Sequence, residues 1–305
     1  MEFFGSELFD LFYWDHSYNT TLILNLAICI GILASVRLFS GKISHINADE
    51  ELIKKDNPAF GISLAGVVLG VVIVLTSVIY SEQPVMDVID SAVSVILYGI
   101  IGIILMSVTR VVFDRMCFPD ISIGDEIKKG NVAAGIIDAG NVIATAIIIR
   151  AVMVWVSAHT LEGIGALVIA YIISQLLLTL STYVRLRLMT SKNRGRNIIN
   201  SLKKGNIALA LTFSGKRIGT AFAITAASYL MIYEFNNIYE LLFVWSILSV
   251  CMMFALKALT IVANATVLAG FNIKKEVIYE GNIALGAVQA VIYASLGLLL
   301  SELMA

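Results

Sequence analysis

The sequence predicts an all-α integral membrane protein. Eight transmembrane helices are expected, arranged as four tandem helical hairpins, each carrying a short cytoplasmic amphipathic helix. Three observations lead there. The first is composition: 59% of the 305 residues are hydrophobic, only 14% are charged, and the mean hydropathy is +0.90. A soluble domain carries about 25% charged residues, so this chain lacks the polar surface to coat a globule of its size in water, and its apolar residues must face lipid. The second is a set of eight apolar stretches, each near the roughly 20 residues that cross a hydrocarbon core. The third is a repeat marked by Asn57, Asn131, Asn206 and Asn282, spaced 74, 75 and 76 residues apart. A soluble enzyme is excluded by the first observation. The net charge of −1 offers no basic surplus for nucleic acid.

The elements follow in chain order. Residues 1–19 hold Phe3, Phe4, Phe9, Phe12, Tyr13 and Trp14, with no basic residue before Arg37. A signal peptide needs a basic start, whereas aromatic residues settle at the membrane–water boundary, so this segment reads as an outer interfacial helix. The expected spans are 20–40, 58–80, 88–113, 131–157, 161–184, 206–232, 238–270 and 282–303. Lipid offers backbone groups no partners, so each span must be helical or belong to a closed barrel. Continuous apolar runs such as Val67–Ile79 lack the alternation a barrel strand requires.

Basic residues set the orientation. The junction segments 41–56, 114–130, 185–205 and 271–281 contain 3, 3, 7 and 2 Lys/Arg, 15 of the 21 in the chain. The opposing segments contain none. Lys and Arg accumulate on the cytoplasmic side, so the junctions are expected in the cytoplasm and both termini outside. The basic stretch 185–197 also suits anionic lipid headgroups.

Each junction closes on an asparagine after a charged stretch: DEELIKKDN, GDEIKKGN, INSLKKGN and KKEVIYEGN. Asparagine is a good N-cap, and Pro58 sits where a first-turn proline belongs. Asn47 and Glu50 have the spacing of a capping box for the preceding short helix. Repeats one and three share glycines nine and thirteen residues past the cap, Gly66/Gly70 and Gly215/Gly219, and a hydroxyl six past it, Ser63 and Thr212. Repeats two and four share Gly135 and Gly286 four past the cap, and polar Asp138 and Gln289 seven past it. This ABAB pattern describes two fused four-span units, 20–160 and 161–305. The GxxxG spacing lets backbones approach closely, so the second span of every hairpin is expected inside the bundle.

The stretches NPAFGISLAGVVLGVVIVLTSVIY and NVAAGIIDAGNVIATAIIIRAVM resemble the two repeat signatures of the domain-of-unknown-function 350 family. NIALALTFSGKRIG and NIALGAVQAVIYASLG are a more diverged copy, interrupted by Lys216 and Arg217 and with Val291 in place of the fourth-repeat glycine. The resemblance covers nearly the whole chain. It implies a bacterial inner-membrane location, no established activity, and a role in envelope maintenance.

Ionisable residues at membrane depth mark candidate sites. Here they are Asp138, Lys216, Arg217 and Lys257. Asp138 shares a helix face with Asn141 and Thr145, and Lys257 with Thr260 and Asn264. Asp138 is the expected partner of Lys257 or Lys216. Lys216 and Arg217 are equally expected to snorkel to the headgroups, as are Arg37, Arg110, Arg185 and Arg187. Arg150 approaches the opposite face, where Glu162 is a candidate partner.

Cys29, Cys117 and Cys251 are scattered, and no His/Cys cluster exists for a metal or cofactor. Ser63 has no His or Lys near it in sequence, so no enzyme is expected. Two functions stay open. One is a channel or transporter for an ion or an anionic or lipid substrate, its hairpins surrounding a pseudo-fourfold axis. The other is a non-transporting scaffold that binds lipids or partner proteins. Membrane lipids are the expected partners, anionic ones in particular; a second copy of the chain and a peripheral membrane-stress protein are further candidates.

Overall fold

Each of the four repeats is a long outer helix, a short junction helix and a capped inner helix. The computed structural model describes residues 16–43, 48–81, 88–119, 121–156, 161–192, 198–232 and 237–305. The expected interfacial segment 1–19 falls almost wholly outside these, as does Asn47 of the expected capping box. The outer helices are α1 (His16–Ile43), α4 (Val88–Cys117), α7 (Leu161–Lys192) and α10 (Ile238–Val267). The junction helices are α2 (Glu50–Lys54), α5 (Ile123–Lys128), α8 (Ile198–Lys203) and α11 (Lys275–Glu280). The inner helices are α3 (Pro58–Ser81), α6 (Val132–Val156), α9 (Ile207–Ala226) and α12 (Ile283–Met304). Among the described residues there is no strand, and seven helices are long and apolar enough to cross a membrane: α3, α4, α6, α7, α9, α10 and α12. In α1 the described apolar stretch, Thr20–Ser35, is shorter.

The four asparagines cap the inner helices. Asn57 Oδ1 accepts from the Ala59 and Phe60 amides, Asn131 from Ala133, Asn206 from Leu209 and Asn282 from Leu285, all at 2.9–3.2 Å. The residue before each cap turns the chain through a left-handed conformation: Asp56 at φ 47°, Gly130 and Gly205 at 81°, Gly281 at 69°. Glycine adopts this freely, and aspartate is among the few other residues that tolerate it.

The inner helices stand side by side in the order α3–α6–α9–α12, and the outer helices lie against them. Small residues bring the inner backbones into contact. A Cβ on Gly135 would lie 2.3 Å from the Ala59 carbonyl oxygen, and one on Gly215 would lie 2.4 Å from Ala290 Cα. Gly66 meets Ala139, Gly70 meets Val142 and Met106, and Gly219 meets Tyr293. Between the units, Gly140 lies against Ser214. Trp155 of α6 also stacks on Trp245 of α10, with ring centroids 5.7 Å apart.

Two expectations need correction. The inner helices do not surround a fourfold axis. On α6, Gly135 and Ala139 face α3, whereas Ile136 and Gly140 face α9. α3 meets α6, α6 meets α9 and α9 meets α12, while the far sides of α3 and α12 are exposed, so the contacts extend a row instead of closing a ring. The second spans are also not equally interior. α6 and α9 are buried along most of their length, whereas α3 and α12 end the row with exposed faces.

Valine in place of Gly135 or Gly215 forces backbone apart. The expected loss is on the order of 1–3 kcal/mol of stability, as for other overpacked cores. Gly165 has open space around its Cβ position, so Gly165→Ala is expected to leave stability unchanged. Thermal unfolding of the three variants in detergent measures the contrast.

Candidate functional site

A charge at membrane depth has to find a partner inside the protein. In the first half it does. Arg110 of α4 grips Asp138 of α6 with both ends of its guanidinium, Nε to Oδ1 at 3.0 Å and Nη2 to Oδ2 at 2.5 Å. Ser63 of α3 donates to the same carboxylate at 2.5 Å, so the pair ties three helices together. This replaces the expected pairing of Asp138 with Lys216 or Lys257. It also corrects the snorkelling expected of Arg110. Helical side chains lean toward the helix N-terminus. α4 runs toward the junctions, so Arg110 leans away from them, onto Asp138. Lys257 lies on an exposed face of α10. Its stripe mates Thr260 and Asn264 turn instead toward the Tyr293 hydroxyl on α12.

In the next repeat, the third, the same position is left unbalanced. Arg110 and Arg185 each precede their cap asparagine by 21 residues, but the place of Asp138 is taken by Phe213. Arg185 Nη2 reaches Thr220 Oγ1 of α9 at 3.3 Å. Lys216 lies over the Tyr293 ring, 4.8 Å from its centroid. Arg217 is 0% exposed. It donates from Nε to Asn141 Oδ1 and from Nη1 to Thr182 Oγ1, both at 2.9 Å, and stacks 4.2 Å over Phe113. Snorkelling is thus wrong for Arg217, which joins α4, α6, α7 and α9, and for Arg185, which leans inward as Arg110 does.

Among the described residues, no carboxylate lies within ion-pair distance of Arg185, Lys216 or Arg217. Arg185 is near enough to repel both of the others. Arg217 Nη2 and Asn141 Nδ2 are buried donors with no acceptor. Such orphans point to a water or ion that completes the site. The shared 21-residue spacing was the sequence signal that Arg110 and Arg185 are counterparts, one balanced and one not. Elsewhere, Arg150 donates to Thr76 at 3.3 Å; the side chain of Glu162 lies outside the described residues. A separate surface cleft of about 310 Å³ sits at the junctions, lined by Lys204, Asn206, Tyr279 and Glu280.

The cap asparagines have a second task. Three of the four Nδ2 groups reach a carbonyl of the next repeat's junction helix: Asn57 to Ile127 at 2.9 Å, Asn131 to Leu202 at 3.1 Å, and Asn206 to Val277 at 3.1 Å. Serine or aspartate would cap as well, but aspartate has no donor and serine's single hydroxyl stands on a shorter stem, whereas the amide carries its acceptor and its donor on separate atoms. Finding asparagine at all four caps was the sequence sign of this clasp.

Buried carboxylates hold the clasps. Hydrogen bonds from Lys55 and Asn57 place the Glu51 carboxyl below its ordinary value of 4.5. Burial pushes the Glu126 carboxyl up, but bonds from Lys129 and Asn131 outweigh it and the net direction is down.

Three outcomes are expected. Asp138→Asn strands Arg110 and should destabilise by roughly 3–5 kcal/mol, whereas Arg110→Met with Asp138→Leu should recover most of that loss. Asn131→Ser keeps the cap and loses the clasp, at about 1–2 kcal/mol. Because Glu51 and Glu126 are more acidic in the folded chain, their contribution is full above about pH 4.5 and disappears as pH falls through their lowered values. Thermal unfolding of wild type and the Glu51→Gln/Glu126→Gln variant across this range should converge at the acid end.

The comparisons agree with the repeat. The family model described as Domain of Unknown Function (DUF350) matches twice, over residues 12–153 and 159–304. A UPF0719 transmembrane protein of Aquifex aeolicus (strain VF5) is 30% identical over 116 residues, 38% of this chain and 42% of that protein. The matched part thus spans less than half of that relative's length. No solved structure matches the chain significantly. With two consecutive matches that together take in almost its whole length, the chain belongs to the DUF350 family of multi-pass membrane proteins of uncharacterised function.

Proposed function

We propose that this protein is a non-transporting membrane scaffold that binds an anionic group, foremost the phosphate of a lipid headgroup, beside Arg185, Lys216 and Arg217. One observation carries the reading. The repeat position that holds a neutralised Arg110–Asp138 pair in the second repeat holds Arg185 beside two further cations in the third. Uncompensated charge is costly in a low-dielectric interior, and a bound anion is the simplest compensation. Arg185 and Lys216 are part-exposed and can receive it, whereas Arg217 is wholly buried. The scaffold half of the reading rests on packing. Backbone contact along the inner row leaves no room for a path between those helices.

In this reading all eight predicted spans cross the inner membrane. The junctions face the cytoplasm and both termini lie outside, which sets the basic residues of 185–205 against anionic lipid. No catalysis is assigned, because the cluster contains cations and amides but no nucleophile–base pair.

The test measures thermal stability of the purified protein with phosphatidylglycerol, phosphatidylcholine or inorganic phosphate. Stabilisation by phosphatidylglycerol and not phosphatidylcholine, lost in Arg185→Gln/Lys216→Gln, is expected. Equal response of wild type and variant would overturn the site. Anion flux into proteoliposomes that is abolished by the same variant would replace the scaffold with a transporter.

A further inference from the structure

The first and last of the four repeats present complementary faces. Three of the four asparagines reach forward to the next repeat's junction helix, to Ile127, Leu202 and Val277. Asn282 makes no such reach among the described residues. Its Nδ2 meets Glu276 of its own repeat, at 3.0 Å in an exposed setting. In the first repeat, α2 is gripped by no cap asparagine of another repeat among the described residues. The residue four before each cap is Ile53, Ile127, Leu202 or Ile278. Three of these are 3–6% exposed, but Ile53 is 74% exposed. Ile53 thus leaves uncovered the apolar position that the later repeats bury.

The exposed faces of the end helices agree. On α3, Pro58, Ala65, Leu69, Val72 and Thr76 form one exposed stripe. Counted from the caps, Ala65, Val72 and Thr76 correspond to Ser214, Ala221 and Thr225 of α9, all buried. Ser214 packs against Gly140 of α6 and donates to Ile136 O at 2.9 Å. On α12, exposed Ala284, Val288, Val291, Ser295 and Leu298 correspond to Ala133, Ile137, Gly140, Ala144 and Ile147 of α6, all buried. The outer row stops likewise, at α1 and α10.

We infer that copies of this chain associate head to tail, the α12 face of one against the α2–α3 face of the next, repeating the α6–α9 contact. Asn282 donates to the Ile53 carbonyl of the neighbour, as Asn131 donates to Leu202 within the chain. Asp56, left-handed and exposed, stands where Gly205 approaches Asn131, so its carboxylate lies beside the same amide. All inner helices start at the junction side, so the copies stand parallel in one membrane. Val291 replaces the glycine of the template and meets Ala65, so these helices sit further apart than α6 and α9. A heterologous contact of this kind closes a ring if its rotation permits and otherwise runs on as a row. The inference is independent of any bound anion.

The test uses the full chain with Cys29, Cys117 and Cys251 replaced by serine. One tagged copy carries Ile53→Cys and a differently tagged copy carries Asn282→Cys, co-expressed in one membrane and treated with a short bis-maleimide. A product joining the two tags is expected, with none from either copy alone. A product of Ile53→Cys copies alone, or no product although both thiols label singly, overturns the proposal. A second arm keeps the native cysteines and compares wild type with Ala65→Trp by mass photometry in detergent. Association at least tenfold weaker in the variant, with unchanged monomer melting, is expected. Wild type that stays monomeric at every concentration, or a variant that associates equally well, sinks the idea.

Discussion

Glycine on one inner helix lets the backbone of the next approach until no side chain fits between. A Cβ on Gly135 would sit 2.3 Å from the Ala59 carbonyl, and one on Gly219 would sit equally near the Tyr293 carbonyl. In lipid there is no hydrophobic force to bring helices together, so close packing must do it. The rest follows from that approach. Ser63 can reach Asp138, and Asn131 can reach the carbonyl of Leu202, only because their helices touch. The fourth repeat departs from the rule: exposed Val291 stands where Gly66, Gly140 and Gly215 stand in the other three.

Charge obeys the same geometry. Where an outer helix runs toward the junctions, its arginine leans back into the protein and toward the inner helix of its own repeat. Arg110 and Arg185 show this with different results, because the position that offers a carboxylate on α6 offers Phe213 on α9. Arg217 then does in the second unit what Asp138 does in the first. It collects hydrogen bonds from neighbouring helices, with neutral acceptors only. The two units share a backbone plan but not an electrostatic one.

This explains which parts were legible in the sequence. Composition gave the helical membrane class, because too few charges cannot coat a soluble surface. The four caps were legible because capping is local. The partner of Asp138 was not. Lys216 and Lys257 looked nearer the membrane centre, and Arg110 looked terminal, because depth was counted along the helix while the direction of side-chain lean decided the outcome. Lys257 shows the complementary error: sharing a stripe with Thr260 and Asn264 did not place it on their face. The arrangement of the inner helices was also beyond reach, since parallel hairpins are compatible with a ring and with a row. Only the exposed far sides of α3 and α12, which do not meet, decide between them.

A row of repeats that each bury their neighbour's face has the energetics of a solenoid: every unit depends on the next, and terminal units normally carry polar caps. In a membrane the lateral surround is lipid, so apolar faces on α3 and α12 need no polar cap to remain soluble. That relaxes the constraint on the spans but not on the junction helices, which lie outside the apolar stretches. There the ends differ in kind. Repeat one presents Ile53 and a left-handed Asp56 to solvent, where later repeats have a buried side chain and a glycine, which in repeats three and four lies near the preceding asparagine. The first repeat thus leaves uncovered an apolar position that the later ones bury. The junction side, rather than the lipid-facing surface, is therefore where this chain reveals whether it is one finished object or a segment of a larger array.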